Sequence, residues 1–448
     1  MEISRCYDSH LHLLATGIFK RGLRLFDLKS PADLKSVSLS PDYFRQDWLV
    51  GFGWDQHRFE NQQYPTCKQL DDVFSDFPVA LTRADGHAVW LNSKAMEKVG
   101  YLDSNKKVPN GGIVIRDADG KPSGIFIESA KIEIDQMMPN YSTEQNILFL
   151  REAILHMNKQ GFTHVREMTS FIEQWNILRQ FDLANELSLY VEHFFVCENI
   201  VDYQRAKKQF QQARELTSQH MRACGIKLFY DGALGSEGAL ISDFYKHQNA
   251  DKKTENKGLA LWDLADVEKI MIDLWSDPTA ELAIHTIGDE AVARIVDLAD
   301  KVQNQLQRKG ILHIEHGELI RPETIEKMKK LNVRVHMQPC HWLSDRRWLQ
   351  EKIPSLSKYV FPWAALQAAN ISFDWGSDTP IEEASVFSTL KALHESSVNG
   401  VQGLSGELLS WHQHPNVNWG ADCKTVFENE KLKKIIFDGQ DITAKVLA

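Results

Sequence analysis

A short apolar strand followed by an amphipathic helix recurs along most of this chain, and that alternation restricts its fold more than any other feature. The candidate strands are Tyr7–Leu13, Phe162–Met168, Leu187–Val196, Ile226–Asp231, Glu281–Thr286, Ile311–His316, Val333–Gln338 and Ile371–Asp378. Helical patterns lie between most of them. Ser142-Thr143-Glu144-Gln145 has the form of a capping box, with Ser at the N-cap and Gln three residues on. It opens a helix whose apolar positions are Ile147, Leu148, Leu150, Ile154 and Met157, closed by Gly161. Asp289–Leu306 sets Val292, Ile295, Leu298, Val302 and Leu306 on one stripe, and Pro322 stands where the first turn of a helix tolerates it. Eight strands with alternating helices predict an α/β fold, a parallel (β/α)8 TIM barrel.

Residues 20–141 break the alternation and read as an insertion after the first strand. Within them, Asn110-Gly111-Gly112 and Asp119-Gly120-Lys121-Pro122 flank Ile113–Arg116 and Gly124–Ile127, a β-hairpin pattern. The expected organisation is therefore a barrel from 1–19 and 142–400, the insertion at 20–141, and a C-terminal extension at 401–448 with a final strand, Leu432–Phe437. A length of 448 residues accommodates one barrel with attachments. The net charge of −10, with no long basic run, argues against nucleic acid as a partner. No stretch approaches the roughly 20 apolar residues that cross a bilayer, so no membrane association is expected. Met1-Glu2-Ile3-Ser4-Arg5 lacks an apolar signal core, and six scattered cysteines without a CxxC pair read as reduced thiols. A cytoplasmic location is the expectation.

The chemistry starts at His10-Leu11-His12. Alternate residues of a strand share a face, so both imidazoles point the same way, into the barrel. His285 and His316 lie at the ends of two later strands and Asp378 at the end of the last. The C-terminal strand ends form the active face of such a barrel. Four imidazoles and a carboxylate converging there match Zn²⁺ or a similar first-row metal. Lys227 stands in the strand Gly225–Asp231 among apolar neighbours, where a charged ammonium is costly. Spacing alone leaves two readings open for it, a lysine snorkelling to water or an amine carboxylated by CO₂ to become an anionic ligand.

Several segments extend this pattern. They are Tyr7–Leu13, Gly51–Asp55, Arg83–Ser93, Gly111–Asp117, Ile226–Ser236, His285–Asp289, Ile314–His316, Gln338-Pro339 and Gly376–Asp378. Together, in this order over roughly residues 7–380, they resemble the amidohydrolase superfamily of metal-dependent hydrolases, and its YtcJ-like branch that includes N-substituted formamide deformylases. The resemblance implies that His10 and His12 bind the more buried metal with Asp378, and that His285 and His316 bind a second. Lys227, carrying a CO₂-derived carbamate, would bridge them. Two Zn²⁺ ions are the implied cofactor, one ion the alternative. The insertion would reach over the barrel mouth, with Arg83, Asp85, His87 and Trp54 as substrate contacts. Arg83, Asp85 and His87 read equally as a structural turn, and Trp54, with Trp48, Phe52 and Trp90, as insertion core.

Three departures from the family pattern stand out. About fifty residues that usually precede the HxH strand, part of a small β-sandwich, have no counterpart here, and the closing part looks reduced to Leu432–Phe437. A minimal or missing sandwich is expected, and a homodimer stays open. Glu237 replaces an arginine, and Arg166-Glu167 stand in place of a His-Asp pair. His341 and Asp345 follow the seventh strand, on the active face, with His341 as a transition-state donor; Cys340 reads as a buried thiol and Asp231 as an outer anchor.

The function these readings predict is hydrolysis of a carbon–nitrogen bond other than a peptide bond, in an amide or formamide, by a metal-activated hydroxide. Asp378 would move the proton and a small molecule would be the substrate. A one-metal deaminase of a ring amine and a non-catalytic barrel scaffold are the competing classes.

Overall fold

The computed structural model describes residues 1–102, 106–109, 112–246, 255–398 and 412–448. They form two compact units, Met1–Leu13 with Ile154–Ala448, and Leu14–Ala153.

The first unit is the barrel. Its strands are β1 (Tyr7–Leu11), β2 (His164–Ser170), β3 (Tyr190–Val196), β4 (Met221–Phe229), β5 (Glu281–Thr286), β6 (Ile311–His316), β7 (Asn332–Met337) and β8 (Ser372–Trp375). All are parallel and pair in sequence order from β1 to β8. The first and last strands return to each other through the Asp378 N–H to His10 carbonyl bond (2.8 Å) and the His12 N–H to Thr379 carbonyl bond (3.0 Å). Gly376 permits that seam, because a Cβ there would lie 2.7 Å from the His10 backbone nitrogen. The alternation in the sequence is thus the (β/α)8 barrel it predicts.

Most strand ends differ from the sequence expectation by one to five residues, β5 and β6 alone keeping both bounds, and three of the differences bear on the site. β1 stops at Leu11 because the Glu167 carboxylate accepts the Leu13 N–H (2.5 Å) as a helix starts at Leu13. Asp378 lies beyond the end of β8, in a turn where its φ is +60°. β4 begins five residues before Ile226, where Arg222 interrupts the apolar run and pairs with Glu192 on the neighbouring strand. Helices match their patterns more closely. The Ser142–Gln145 capping box forms, and Thr143–Lys159 buries Leu150, Ile154 and Met157, although Leu148 faces solvent. Asp289–Leu306 buries Val292, Ile295, Leu298 and Val302.

Glu2–Ser4, Lys424–Glu428, Lys431–Phe437 and Gln440-Asp441 form a separate four-stranded antiparallel sheet, so the last strand expected from the sequence pairs onto the chain's first residues through Lys424–Glu428. Of the expected extension, residues 401–411 lie outside the described residues.

The second unit is built on a mixed sheet. Its order is Leu23-Arg24, Trp48–Trp54, Val79–Arg83, Ala88–Leu91, Pro122–Glu128 and Gly112–Arg116, with Phe44-Arg45 pairing beside Trp48–Trp54. Alternation sorts its side chains into two cores. Leu49, Trp54, Val79, Leu81 and Trp90 pack on one face, and Trp48, Val50, Ala80, Val89 and Leu91 on the other. The expected hairpin is the antiparallel pair Gly112–Arg116 with Pro122–Glu128; Asn110 and Gly111, ahead of it, lie outside the described residues.

Candidate metal centre

The barrel brings six sequence-selected side chains together at its C-terminal strand ends. His10, near the end of β1, and His12, one residue past it, both aim Nε2 at Asp378 Oδ1, at 3.3 and 3.0 Å. The His316 ring lies 4.7 Å from that of His10 and 4.4 Å from that of His285. Lys227 is fully buried on β4, its Nζ 4.2 Å from the centre of the Phe229 ring and without a hydrogen-bond partner. His316 (φ +73°) and Asp378 (φ +60°) both occupy the left-handed region, a strain of order 1–3 kcal/mol that proteins concentrate at functional sites.

Three of the four rings are held from behind. Glu315 Oε2 takes the Nδ1 side of His10 at 2.5 Å, Thr169 Oγ1 that of His12 at 3.0 Å, and Gln338 Oε1 that of His316 at 2.8 Å. Glu167 in turn accepts from the Thr169 hydroxyl (3.0 Å) and backbone N–H (2.7 Å). With Nδ1 engaged, Nε2 is left to face the centre, the usual arrangement behind a metal-ligating histidine. Asp8 joins β1 to the loop after β8, its Oδ1 accepting the His10 and Ser377 N–H groups at 3.1 and 3.0 Å. None of Asp8, Thr169, Glu315, Glu318 or Gln338 carries a role in the sequence reading. Asp8, Glu315 and Gln338 do sit inside the motif segments, which was their only sequence signal.

Burial dominates the electrostatics. It pushes His285 down to about 3, helped by Lys227, and drives His316 well below its ordinary value, so both rings are neutral. Burial also opposes the charge on His10, but Asp378 and Glu315 outweigh it and raise that ring. Lys227 is lowered to about 8, chiefly by desolvation, which populates its free amine near neutral pH. His341 rises to about 9 because Glu318 and Asp378 overcome the burial that disfavours its charge. Lys227 Nζ and His285 Nε2 are buried without a hydrogen-bond partner, while His10 Nε2 and Asp378 Oδ1 face each other at 3.3 Å. Buried polar atoms seldom go unmatched, and Lys227 and His285 lie at the same strand ends as the other histidines. His10, His12 and Asp378 present ligand atoms within 4.8 Å of one another, as do His316, Glu318 and His341. Imidazole and carboxylate donors of this kind fit a first-row divalent metal.

The remaining candidates separate. Asp231 accepts the Leu240, Ile287 and Gly288 N–H groups (2.9, 3.0 and 2.9 Å), tying the loops after β4 and β5, and burial lifts its carboxyl to about 7. Cys340 is a buried thiol. Glu237 stands in a turn at φ +61°, 3.6 Å from Lys352 Nζ. In the second unit, Arg83 bonds Gln56 Oε1 (2.8 Å) and pairs with Asp85, which itself accepts the His87 N–H (3.0 Å). Trp54 is fully buried in its own unit's core, its indole N–H donating to the Leu81 carbonyl at 2.7 Å.

A parallel eight-stranded barrel with imidazoles and a carboxylate gathered at its C-terminal face defines a metal-dependent hydrolase scaffold. The chain belongs to the Amidohydrolase family, whose profile matches residues 7–413. It is 28% identical over 434 residues to the YtcJ protein of Bacillus subtilis (strain 168), covering 95% of this chain and 77% of that one. It is 23% identical over 347 residues to the N-substituted formamide deformylase of Arthrobacter pascens, covering 74% of this chain and 61% of that protein. Among solved structures, a metal-dependent hydrolase from Pyrococcus horikoshii OT3 shares the fold with a TM-score of 0.71 at 23% identity, over 92% of this chain and 77% of that one.

Proposed function

We propose that this hydrolase cleaves a carbon–nitrogen bond other than a peptide bond, in an amide or an N-substituted formamide, using two Zn²⁺ ions. The observation that carries the reading is the gathering of His10, His12, His285, His316 and Asp378 at the end of the barrel that also holds the buried Lys227, whose Nζ has no hydrogen-bond partner. His10, His12 and Asp378 would hold one ion, His285 and His316 the other, and Lys227 as a carbamate would bridge them. The low basicity of Lys227 supports that modification, since only the free amine reacts with CO₂. The formamide alternative draws on the likeness to the Arthrobacter pascens deformylase.

When bound, the metal ions supply Lewis acidity that polarises the substrate carbonyl and lowers the pKa of water toward about 7. The chain's own groups do the rest. Asp378, held between His10 and His12, accepts the proton of the attacking water and carries it to the leaving nitrogen. His341, with Nε2 3.8 Å from Asp378 Oδ2, stands where it can donate to the developing oxyanion or the departing amine. The strand-end walls, closed by the His10–Asp378 seam, keep these groups at fixed separations.

The test is elemental analysis of the purified protein together with hydrolysis of a panel of N-substituted formamides and N-acyl amines. About two zinc equivalents, activity lost to a chelator and regained with Zn²⁺, would support the reading. A protein without bound metal, or one with about one equivalent that releases ammonia only from ring amines, would overturn it.

A further inference from the structure

Glu318 and His341 form a buried pair that the proposed ligand set leaves unused. Glu318 is 3% exposed, and its Oε1 lies 3.0 Å from His341 Nδ1. Its backbone is fixed on both sides. The left-handed His316 and Gly317 (φ +73° and +55°) turn the chain into it, its carbonyl accepts the Phe361 N–H at 2.6 Å, and the next residue, Leu319, donates to the Ile287 carbonyl at 3.1 Å. An ionised carboxylate only accepts, so His341 Nδ1 must be the donor and Nε2 is turned the opposite way. Nε2 makes no hydrogen bond, lies 3.8 Å from Asp378 Oδ2, and belongs to a ring stacked parallel to His316 (13° between planes, centroids 6.0 Å apart).

We propose that Glu318 is a positioning residue: it locks the His341 ring so that Nε2 faces the space beside Asp378 where the leaving nitrogen must sit. The inference rests on the hydrolytic reading above. It assigns Glu318 a role distinct from metal binding, although His316, Glu318 and His341 stand close enough together to hold an ion. One Glu318 oxygen committed to Nδ1, and Nε2 aimed at Asp378, describe an orienting hydrogen bond rather than two donors sharing a cation.

The experiment compares Glu318→Ala, Glu318→Gln, His341→Ala and the Glu318→Ala/His341→Ala double variant, each as the metal-loaded full chain, on the formamide that the wild type turns over fastest. Glu318→Ala is expected to lower kcat by about 100-fold, the scale of a small misplacement of a catalytic group, with KM little changed and metal content intact. Glu318→Gln keeps an amide oxygen that accepts from Nδ1, and should recover most of that loss. In the His341→Ala background, Glu318→Ala should cost nothing more, because its effect runs through the ring. Loss of metal in Glu318→Ala, a Gln variant as poor as the Ala variant, or the full cost persisting without His341 would each overturn the proposal. Crystal structures of the Ala and Gln variants supply a readout independent of turnover, with the ring displaced in the first and retained in the second. A ring unmoved in Glu318→Ala overturns the proposal. A wild type that hydrolyses no member of the panel would instead overturn the function, while the ring orientation still decides the role of Glu318.

Discussion

Glu315 Oε2 stands 2.5 Å from His10 Nδ1, so a fully buried carboxylate sets the orientation of the first-strand imidazole and turns its Nε2 to Asp378. The other Glu315 oxygen accepts from Arg166 Nη2 at 3.0 Å, and Arg166 Nη1 donates to the Ser9 carbonyl at 2.8 Å while the guanidinium lies 4.4 Å above the Phe194 ring. Burial alone would raise the Glu315 carboxyl; Arg166, His336 and His10 hold it well below its usual range. At Arg166-Glu167 the family resemblance implies a His-Asp pair. Here that departure serves the ion pair behind His10, and its neighbour Glu167 secures Leu13 and Thr169.

Glu315→Gln tests this chain of contacts. The amide keeps the size but leaves Glu192, 3.9 Å from Arg166 Nε, as the remaining carboxylate partner of that buried charge, and a loss of about 1–3 kcal/mol is expected. It also weakens the support of His10, and metal affinity is expected to fall by about 10–100-fold. Thermal unfolding and competitive chelator titration read the two effects separately. Unchanged affinity would show that Glu315 does not support a ligand.

Changing His10 and His12 together to Ala should remove the ion they share with Asp378 and all hydrolysis. Asp378→Asn, by contrast, keeps a donor oxygen and removes the proton acceptor, so metal should largely remain while turnover falls by about 100-fold or more. Elemental analysis beside single-turnover rates separates the two outcomes. Full metal stoichiometry in the double histidine variant would refute the ligand assignment, and unchanged turnover in Asp378→Asn would refute the proton-shuttle role.

Lys227→Ala removes the buried amine. An ammonium would be repelled by two divalent ions, whereas a carbamate would bridge them, so the variant is expected to lose metal and most activity. Added acetate, formate or bicarbonate should restore part of both by filling the vacated volume. A crystal structure at about 2 Å of the two-metal protein is decisive: an unmodified amine pointing away from both ions would rule the carbamate out.

Much of this architecture is written locally in the chain. Glu281–Thr286 and Ile311–His316 are observed with the bounds their apolar runs suggest, because parallel strands buried on both faces need little else to mark them. The candidate ligands stood out for the same reason, since His10, His12, His285 and His316 sit at or just past strand ends. Asp378 was legible as a residue but not in its conformation, which depends on Gly376 meeting His10 across the barrel seam. β4 was read too short because Arg222 interrupts the apolar run and faces Glu192 on the neighbouring strand, a contact between strands that no local pattern reports. Glu315, Gln338, Thr169 and Glu318 were missed in role because each acts on an imidazole from another element of the barrel or, for Glu318, from a loop 23 residues away. In the second unit, period-two alternation exposes the strands, but the parallel pairing of Leu23-Arg24 with Trp48–Trp54 is a long-range choice beyond such reading.

The last prediction concerns stability far from the metal centre. His220 Nδ1 lies 2.5 Å from Asp182 Oδ1, while Asp182 Oδ2 accepts the Gln219 N–H at 2.9 Å and His220 Nε2 faces Asp438 Oδ2 at 3.4 Å. Burial works against both charges, yet the bonds from His220, Ser218 and Gln219 lower Asp182 to about 2, and Asp182 and Asp438 raise His220. The signs are opposite. The Asp182 contribution is present above its ordinary 3.8 and disappears as pH falls through about 2. The His220 contribution is present below its ordinary 6.5 and disappears as pH rises through its higher folded value. Both therefore act together between about pH 4 and 6.5. Asp182→Asn should cost about 2 kcal/mol at pH 6, the worth of a shift of that size on a carboxylate 4% exposed. At a pH above the raised folded value of His220 the cost should be smaller, because the neutral ring no longer gains from the negative charge. Denaturant unfolding of wild type and variant at the two pH values measures the difference. Equal destabilisation at both would mean that Asp182 acts only as an acceptor for Ser218 and Gln219, with no charge coupling to His220.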